Sequence, residues 1–310
     1  MSTELTDTNS AAIAAELLTA RRKAGSPAMG MVLTLIVDTD EEGSEEALGA
    51  ARAASTEHPA RVLGVIRGRA TGTSRVDAEI NIGHHAPGES ILIRLTGEVT
   101  RHAESVVLPL LLPDSPVVIW WPRRAPDDPA ADPLGALAQR RITDCASVPR
   151  GRQAALEQQC AVFSKGNTDL AWTRLTGWRA LLAASLDEYD TKVTAAEITA
   201  ERVSPSAELL RGWLTDRLRV PMQRKVSRGP GITSVQLGTR AGDITIARPD
   251  GRLAMLSSPE QPDRPVALKR RPVAELLAEE LRRLDNDDIY EDTVQRLCKL
   301  DALVAKGQRP

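Results

Sequence analysis

The sequence has few aromatic residues. It contains one phenylalanine, two tyrosines and five tryptophans, and aromatic residues make up 3% of the chain. Hydrophobic residues still reach 42%, an ordinary value for a globular protein, so aliphatic side chains must build the core. Each tryptophan is therefore a rare feature whose position needs a reason.

The chain also lacks a strong charge of either sign. Its 40 basic and 42 acidic residues leave a net charge of −2, so no overall field attracts it to nucleic acid or to an anionic membrane. Its longest apolar run, 106–122, contains four prolines and Asp114 and is shorter than the roughly 20 residues of a membrane span. The first residues, "MSTELTDTNS", are polar and acidic rather than typical of a signal peptide. We expect a cytoplasmic protein without nucleic-acid or membrane partners.

Signatures of metal and disulfide sites are missing. Cys145, Cys160 and Cys298 have neither C-x-x-C spacing nor a matching histidine pattern, and we interpret them as buried reduced thiols. His84 and His85 are adjacent, so on an extended segment they point to opposite faces and cannot easily chelate one ion. No metal site is expected.

Common cofactor and catalytic motifs are missing as well. "GHHAPGES" (83–90) resembles a phosphate-binding loop but has Glu89 where that loop needs lysine, and we interpret it as a hairpin turn. The first apolar strand is followed by the acidic "VDTDEEGSEEA" rather than by G-x-G-x-x-G, which argues against a dinucleotide cofactor. G-x-S-x-G and H-E-x-x-H do not occur. We expect no cofactor and no enzymatic activity.

The hydrophobic pattern of residues 1–130 predicts an N-terminal α/β domain. It is Rossmann-like, with a mixed sheet whose centre is largely parallel. Strands covered by helices on both sides are apolar on both faces, as "MVLTLIVD" is. The predicted elements are a helix at 9–24, a strand at 31–38, a helix from Ser44, strands at 61–67, 75–83 and 91–95, a helix at 98–112 and a strand at 116–121.

A helical connection is predicted over 131–190 and a second α/β domain over 191–310. The connection holds the short helical piece "LGALAQRR" and a helix at 168–187. The second domain is predicted to have a mixed or antiparallel sheet with helices. Its elements are a strand at 192–198, a helix with Ser204 as N-cap, strands at 219–226, 231–238, 242–248 and 251–257, and helices at 273–285 and 288–305.

The carboxyl ends of the predicted parallel strands suggest where a ligand would bind. Open α/β sheets bind ligands beyond these ends. The side chains expected there are Asp38 and Asp40 after the first strand, Arg67 and Arg69 after the second, and Trp121, Arg123 and Arg124 after the last. Arg67 and Arg69 are candidates for binding an anion.

Trp120 and Trp121 stand side by side before the basic pair Arg123 and Arg124. Tryptophan and arginine are enriched at binding hot spots, so this segment is a candidate for contact with a partner protein. Adjacent residues of a strand face opposite sides, so at least one indole belongs to the core while its neighbour is presented. Core packing of both indoles is the alternative.

Further candidate contacts follow along the chain. Arg140 and Arg141 form a second basic pair, and "TDLAWTRLTGWR" adds Trp172 and Arg174. Trp178 belongs to the apolar stripe of its helix and is expected in the core, whereas Trp172 lies off that stripe. We therefore expect Trp172 and Arg174 to contribute to the same partner-binding surface.

Three long segments resemble signature segments of the actinobacterial form of the glucose-6-phosphate dehydrogenase assembly protein family, OpcA. They are "LPLLLPDSPVVIWWP", "DPLGALAQRRITD" and "NTDLAWTRLTGWRALLAASLD", and the similarity extends from "MVLTLIVDT" to "RPVAELLAEELRRLD". The resemblance implies a non-catalytic partner that binds glucose-6-phosphate dehydrogenase and promotes its active oligomer in the oxidative pentose phosphate pathway.

Two other functions stay open. One is an enzyme of the same pathway, such as a lactonase, with Arg67, Arg69 and Arg123 as an anion clamp, although no general base accompanies these arginines. The other is a sensor that binds a sugar phosphate or nucleotide in the arginine-lined crevice while the tryptophan surface engages the dehydrogenase.

Overall fold

The computed structural model describes residues 2–24, 30–82, 89–188 and 192–305. They form an α/β protein with two mixed sheets, as the sequence predicts. The predicted turn at 83–90 lies outside the described residues except for Glu89 and Ser90, which begin a strand. His84 and His85 lie outside them too.

The chain divides into two compact units that do not follow the predicted boundaries 1–130, 131–190 and 191–310. In this division residues 131–190 are not a separate connection, and a segment from late in the chain belongs to the first unit. The first unit consists of Met1–Asp144, Gly166–Thr168 and Pro272–Asn286. The second unit consists of Cys145–Lys165, Asp169–Arg271 and Asp287–Pro310.

The strands and helices have the following bounds. The strands are β1 (Ser2–Leu5), β2 (Leu33–Thr39), β3 (Ala60–Arg67), β4 (Arg75–Ile82), β5 (Glu89–Thr96), β6 (Val117–Trp120), β7 (Arg140–Thr143), β8 (Asn167–Asp169), β9 (Val193–Glu201), β10 (Met222–Ser227), β11 (Ile232–Thr239), β12 (Gly242–Ala247), β13 (Leu253–Ser258) and β14 (Gln261–Ala267). The helices are α1 (Ser10–Ala24), α2 (Glu41–Ala54), α3 (Ala103–Val107), α4 (Arg152–Ala161), α5 (Leu170–Thr173), α6 (Thr176–Glu188), α7 (Pro205–Leu218), α8 (Val273–Arg282) and α9 (Asp288–Ala305).

The sheet of the first unit has eight strands in the order β1-β4-β5-β3-β2-β6-β7-β8. Strands β5, β3, β2, β6 and β7 run parallel to one another, whereas β4 is antiparallel to β5 and β1 is antiparallel to β4. Every residue of β2 is buried, which explains why its sequence is apolar on both faces.

Helices contribute to the core on both faces of this sheet. Helix α1 supplies Ile13 and Leu17 to the cluster that also holds Ile36 and Trp121. Helix α2 packs on β2 and β3 and also on α8, which is how the late segment joins the first unit. The first unit thus has the layered, Rossmann-like architecture that the sequence predicts.

The sheet of the second unit has six strands in the order β10-β9-β11-β12-β13-β14. Strands β9 and β10 are parallel, and every other neighbouring pair is antiparallel. On one face Val235, Leu237 and Ile246 are fully buried in a core cluster shared with Leu210 and Leu297 of the helices. Side chains on the other face are partly or fully exposed.

Helix α2 begins earlier than predicted. Asp40 is its N-cap, since the carboxylate accepts a hydrogen bond of 2.8 Å from the Gly43 N–H. Ser44, where the sequence predicts that the helix begins, lies inside the helix, and its hydroxyl donates a hydrogen bond to the carbonyl of Glu41. An aspartate is as good a cap as a serine, so the sequence allowed both starts.

Three predicted helices are shorter or broken. Residues 98–112 form two 3₁₀ segments around α3, with Pro109 in the second of them. In 134–141 only Gly135–Leu137 forms a 3₁₀ turn, because Gln139 pairs with Val117 and the chain then enters β7. The helix expected at 168–187 is divided into α5 and α6.

Strand β14 was not predicted. Its sequence "QPDRPVA" contains two prolines, which normally argue against a strand because they cannot donate to the hydrogen-bond ladder. The structure places β14 at the edge of the sheet, where proline is tolerated.

Candidate functional site

A crevice opens at the carboxyl ends of the parallel strands in the first unit. Strand β2 has β3 on one side and β6 on the other, so the order of the strands reverses at this point, where open α/β sheets bind ligands. The crevice has a volume of about 310 Å³. Its lining consists of Asp38, Thr39, Asp40, Arg67, Trp121, Arg123, Arg124, Ala125, Pro126 and Asp132. The sequence correctly predicted that residues from these three strand ends lie together.

The floor of the crevice is formed by Asp38, Arg67 and Trp121, and Asp38 accepts hydrogen bonds from the other two. Arg67 donates two hydrogen bonds to it, from Nε to Oδ1 at 3.0 Å and from Nη2 to Oδ2 at 2.8 Å. The indole Nε1 of Trp121 donates a third, to Oδ2 at 3.0 Å. Arg67 also donates from Nη1 to the carbonyl of Thr100 at 3.3 Å. The carboxylate, guanidinium and indole N–H of the floor are therefore hydrogen-bonded to one another.

Burial raises the pKa of the Asp38 carboxyl, although the hydrogen bonds and charge of Arg67 and the indole N–H of Trp121 act to lower it. Burial also acts on Arg67, but its bonds to Asp38 prevail and raise the pKa of that guanidinium. The ion pair compensates only part of the cost of burying the carboxylate.

The wall formed by the start of α2 is acidic. Asp40 caps the helix, and Glu41 and Glu42 follow in its first turn. Arg123 crosses to this wall, with Nη1 at 3.3 Å from Asp40 Oδ1 and 3.2 Å from Glu42 Oε2. These carboxylates occupy the helix N-terminus at which a dinucleotide pyrophosphate would bind, as the sequence indicated.

The rim carries the remaining charged groups. Asp132 accepts hydrogen bonds from the backbone N–H groups of Leu134 and Gly135, and its other carboxylate oxygen lies 4.0 Å from Arg67. Arg124 is exposed and forms no ion pair within the described part of the chain. Arg69, the second candidate anion ligand, is also exposed but does not line the crevice.

Trp120 faces the opposite side of the sheet from Trp121. It lines a small cavity of about 40 Å³ together with Ala47 and Ala50 of α2 and Val273 of α8. The side chain is 1% exposed, and its indole N–H has no hydrogen-bond partner among the described residues. Trp120 therefore packs between the sheet and its covering helices.

Arg140 and Arg141 are buried in β7. Arg140 donates to Glu280 of α8 at 2.6 Å and to the carbonyl of Asp285 at 2.9 Å. Arg141 donates to the side-chain oxygen of Asn167 at 2.6 Å, and burial lowers the pKa of its guanidinium. Both arginines thus hold distant segments of the first unit to the sheet.

Trp172 lies in the core of the second unit. Its indole N–H donates to Asp287 Oδ2 at 2.9 Å, and the guanidinium carbon of Arg179 lies 3.7 Å above its ring. The ring also contacts Tyr290, with the ring centroids 5.7 Å apart. Arg174, two residues later, is half-buried. Trp178 is buried in the same core, as the sequence predicts.

The predicted exposure of one indole of the pair Trp120 and Trp121, of Trp172 and of the second arginine pair is wrong, and the alternative of core packing for both Trp120 and Trp121 is correct. Trp120, Trp121 and Trp172 are each at most 2% exposed, so these indoles are not presented to a partner in this structure. Each packs in the core, and two of them donate the N–H to a carboxylate, Trp121 to the buried Asp38 and Trp172 to the half-buried Asp287. Arg140 is buried in its ion pair with Glu280, and Arg141 is buried and donates hydrogen bonds to Asn167 and Ala138. Arg123 and Arg124 keep some access to solvent.

Three residues of these arrangements had no role in the sequence-based prediction. They are Asp132 at the rim, Glu280 under Arg140 and Asp287 beside Trp172. The only available signal was chemical, since a buried indole or guanidinium requires an acceptor. Local sequence patterns could not identify these acceptors, because the partners are far apart in the chain; Asp287 and Trp172, for example, are 115 residues apart.

No group of three or more potential metal-ligating side chains occurs in the part of the chain that the structure describes. None of the described helices is both long and apolar enough to cross a membrane. Among the arginines that line the crevice, Arg67 and Arg123 form ion pairs with carboxylates of the lining or of helix α2, whereas Arg124 is exposed.

Two family models match the chain. Residues 51–161 match the "Glucose-6-phosphate dehydrogenase subunit N-terminal domain" of the OpcA assembly family, and residues 165–294 match the corresponding C-terminal domain. Together these ranges include most of the chain. A search of curated proteins found no match.

Two of the solved structures to which the chain shows a distant similarity are oxidoreductases. A 3-ketoreductase from Actinomadura kijaniata has 12% sequence identity and a TM-score of 0.49, with 89% of this chain and 98% of that chain covered. An oxidoreductase from Sinorhizobium meliloti has 10% identity and a TM-score of 0.45, with coverages of 88% and 96%. These likenesses are too distant to support a conclusion about function.

Proposed function

Because the chain belongs to the OpcA family of glucose-6-phosphate dehydrogenase assembly proteins, we propose that it is a non-catalytic partner of that dehydrogenase. In this proposal it binds the dehydrogenase and promotes the active oligomer at the first step of the oxidative pentose phosphate pathway. The observation that carries the proposal is the pair of family matches at 51–161 and 165–294. A cytoplasmic location follows, because a partner must share the compartment of its enzyme.

The arrangement of the crevice supports a role without catalysis. A general base must be able to reach a substrate proton. Asp38 is bonded to Arg67 and Trp121 in the floor, and Asp40 is occupied as a helix cap. Asp132 caps a turn through one of its oxygens. These carboxylates serve the fold, whereas in an active site at least one would be directed at the substrate.

Promotion of an active oligomer has a thermodynamic condition. The protein must bind the active form of the dehydrogenase more tightly than the inactive forms, because equal affinity would shift no population. The expected consequence is that the protein lowers the dehydrogenase concentration at which the oligomer forms, and saturates at a fixed stoichiometry.

A titration of the purified dehydrogenase tests the proposal. The initial rate is followed at a dehydrogenase concentration low enough for its oligomer to dissociate, with increasing amounts of this protein. We expect a saturable rise in rate, and no NADPH formation by this protein alone with glucose 6-phosphate and NADP. An unchanged rate at every ratio would reject the activating role.

A second candidate is an effector sensor or a lactonase-like enzyme that binds a sugar phosphate in the crevice. Two observations favour binding there: Arg124 is exposed at the rim, and the hydroxyl of Thr39 in the lining is buried without a hydrogen-bond partner in the described residues. Calorimetry with glucose 6-phosphate and with NADPH tests the sensor. Hydrolysis of 6-phosphogluconolactone above the spontaneous rate would support the enzyme.

A further inference from the structure

The outward face of the six-stranded sheet in the second unit has an unusual composition. Its four central strands are β9, β11, β12 and β13. The register places Glu197, Gln236, Thr245 and Ser257 in one row across them, and Thr199, Ser234, Ala247 and Met255 in the next. All of these side chains are partly exposed.

These rows contain no lysine and no arginine. Sheet faces that remain in water are polar, often with long charged side chains, and in these two rows Glu197 is the one charged side chain. Short threonine, serine and alanine side chains let a second layer approach to about the 10 Å at which sheets pack face to face. The apolar corner of the face, with Met255 and the 54% exposed Leu253, adds hydrophobic area.

The size of the face is sufficient for a specific complex. Strands about 4.8 Å apart and about 20 Å long give six strands a flat area of roughly 500 Å², before side-chain relief is added. One side of a standard protein interface buries about 800 Å² of accessible surface. The open face therefore supplies most of the area that one partner needs.

The charges on the face distinguish between possible occupants. Glu197, Glu201 and Asp243 project on this side, and Lys225 of β10 pairs with Glu197 at 2.7 Å. Two copies packed face to face would bring the excess carboxylates together, which is unfavourable. A partner with a neutral or basic surface is favoured instead.

We infer that this open sheet face is the surface on which the chain docks with glucose-6-phosphate dehydrogenase. The inference rests on the proposed function, and the family model for the C-terminal domain, residues 165–294, includes the whole sheet. The dehydrogenase surface that meets it is flat and carries basic side chains opposite these carboxylates. Docking through this face does not require any of the buried tryptophan side chains to become exposed.

A pair of substitutions on the face tests the inference. Thr199→Lys with Thr245→Lys places long cationic side chains on two central strands. These side chains remain hydrated in the free protein, but they would block a partner that packs on the face. We expect at least about a tenfold loss of affinity for the dehydrogenase, measured by biolayer interferometry with the full chain. The matched control is Ala180→Lys with Ala184→Lys, which adds the same charge at exposed positions of α6 and should bind as wild type does.

A second variant does not depend on steric blocking. Glu201→Gln removes one carboxylate from the face at almost constant shape. We expect about a two- to threefold weaker complex at low salt, and a smaller decrease of affinity with added salt than in the wild type. Thermal unfolding of all variants shows whether each is folded, and Glu201→Gln keeps the test decisive if the lysine pair unfolds the sheet.

The outcomes separate this inference from the proposed function. If the wild type does not bind the dehydrogenase, the proposed function fails. If the wild type binds and both face variants bind equally well, the function stands and this face is excluded as the docking site. If the wild type is a dimer that the lysine pair dissociates without loss of dehydrogenase binding, the face belongs to a second copy and the inference is overturned.

Discussion

Both units bury a tryptophan whose N–H donates to an aspartate, but they use the neighbouring arginine differently. In the first unit Arg67 forms two hydrogen bonds to the same carboxylate, Asp38, that Trp121 contacts. In the second unit Arg179 lies on the ring of Trp172, while Asp287 accepts the indole N–H and caps the start of a helix. One arginine supports the acceptor, and the other supports the ring.

The difference follows from burial. Asp38 is almost fully buried and needs a compensating cation, whereas Asp287 is half-exposed and retains access to water. The combination of tryptophan and arginine, which in sequence suggests a surface for binding, is here an internal support in both units. Surfaces with small side chains, such as the open sheet face, are then the better candidates for contact.

The largest effect is expected from removing the cation in the first unit. Arg67→Ala leaves Asp38 buried without its partner and should destabilise the first unit by about 3 to 5 kcal/mol. Urea unfolding followed by tryptophan fluorescence measures the loss. Arg69→Ala, at an exposed position two residues later, should change stability by less than about 0.5 kcal/mol. Equal effects of the two variants would show that the ion pair with Asp38 is unimportant.

The two indole donors should differ when each is replaced by phenylalanine. Trp121→Phe deprives a buried carboxylate of a donor and should cost about 1 to 3 kcal/mol. Trp172→Phe should cost less, about 1 kcal/mol, because water can replace the donor at the half-exposed Asp287. Unfolding of the two variants in parallel checks the order, and a larger loss for Trp172→Phe would reverse the comparison.

The raised pKa of Asp38 predicts a definite pH dependence. A carboxyl whose folded pKa is raised contributes stability that is complete below its unfolded pKa, about 3.9, and is lost as pH rises through the folded pKa. The stability of the wild type relative to Asp38→Asn should therefore decrease as pH increases from about 4. Urea unfolding of both proteins at several pH values measures this difference. A relative stability that increases with pH would mean that Arg67 outweighs burial.

The smallest effect is expected at the stacked arginine. Arg179→Lys keeps the charge but loses the planar group above Trp172, and should cost about 0.5 to 1 kcal/mol. The same replacement at Arg67 should cost clearly more, because lysine cannot form the two parallel bonds to Asp38. Thermal unfolding of both lysine variants tests this, and similar losses would remove the distinction between the two arginines.

Local sequence patterns predicted the parallel centre of the first sheet. Strands β2 and β3 are apolar on both faces because helices cover both, and their carboxyl ends bring Asp38 and Arg67 together as expected. The helix of the second unit that follows Ser204 also begins where its cap predicts. These features depend on residues near one another in the chain.

Other features depend on distant partners, which local patterns do not contain. Trp121 reaches Asp38 across 83 residues, and Arg140 reaches Glu280 across 140. The exposure of a tryptophan or an arginine is decided by such contacts, so the sequence left it open. The open face of the second sheet was missed for a related reason, since its short side chains form no conspicuous motif.

We propose that the chain acts by binding glucose-6-phosphate dehydrogenase, and the mass of a mixture of the two proteins in solution shows whether it does. Size-exclusion chromatography with light scattering should show one complex with a defined ratio of the two proteins, heavier than the dehydrogenase alone under the same conditions. Two separate peaks with the masses of the individual proteins, at every concentration at which the dehydrogenase is active, would show that the chain does not act by forming this complex.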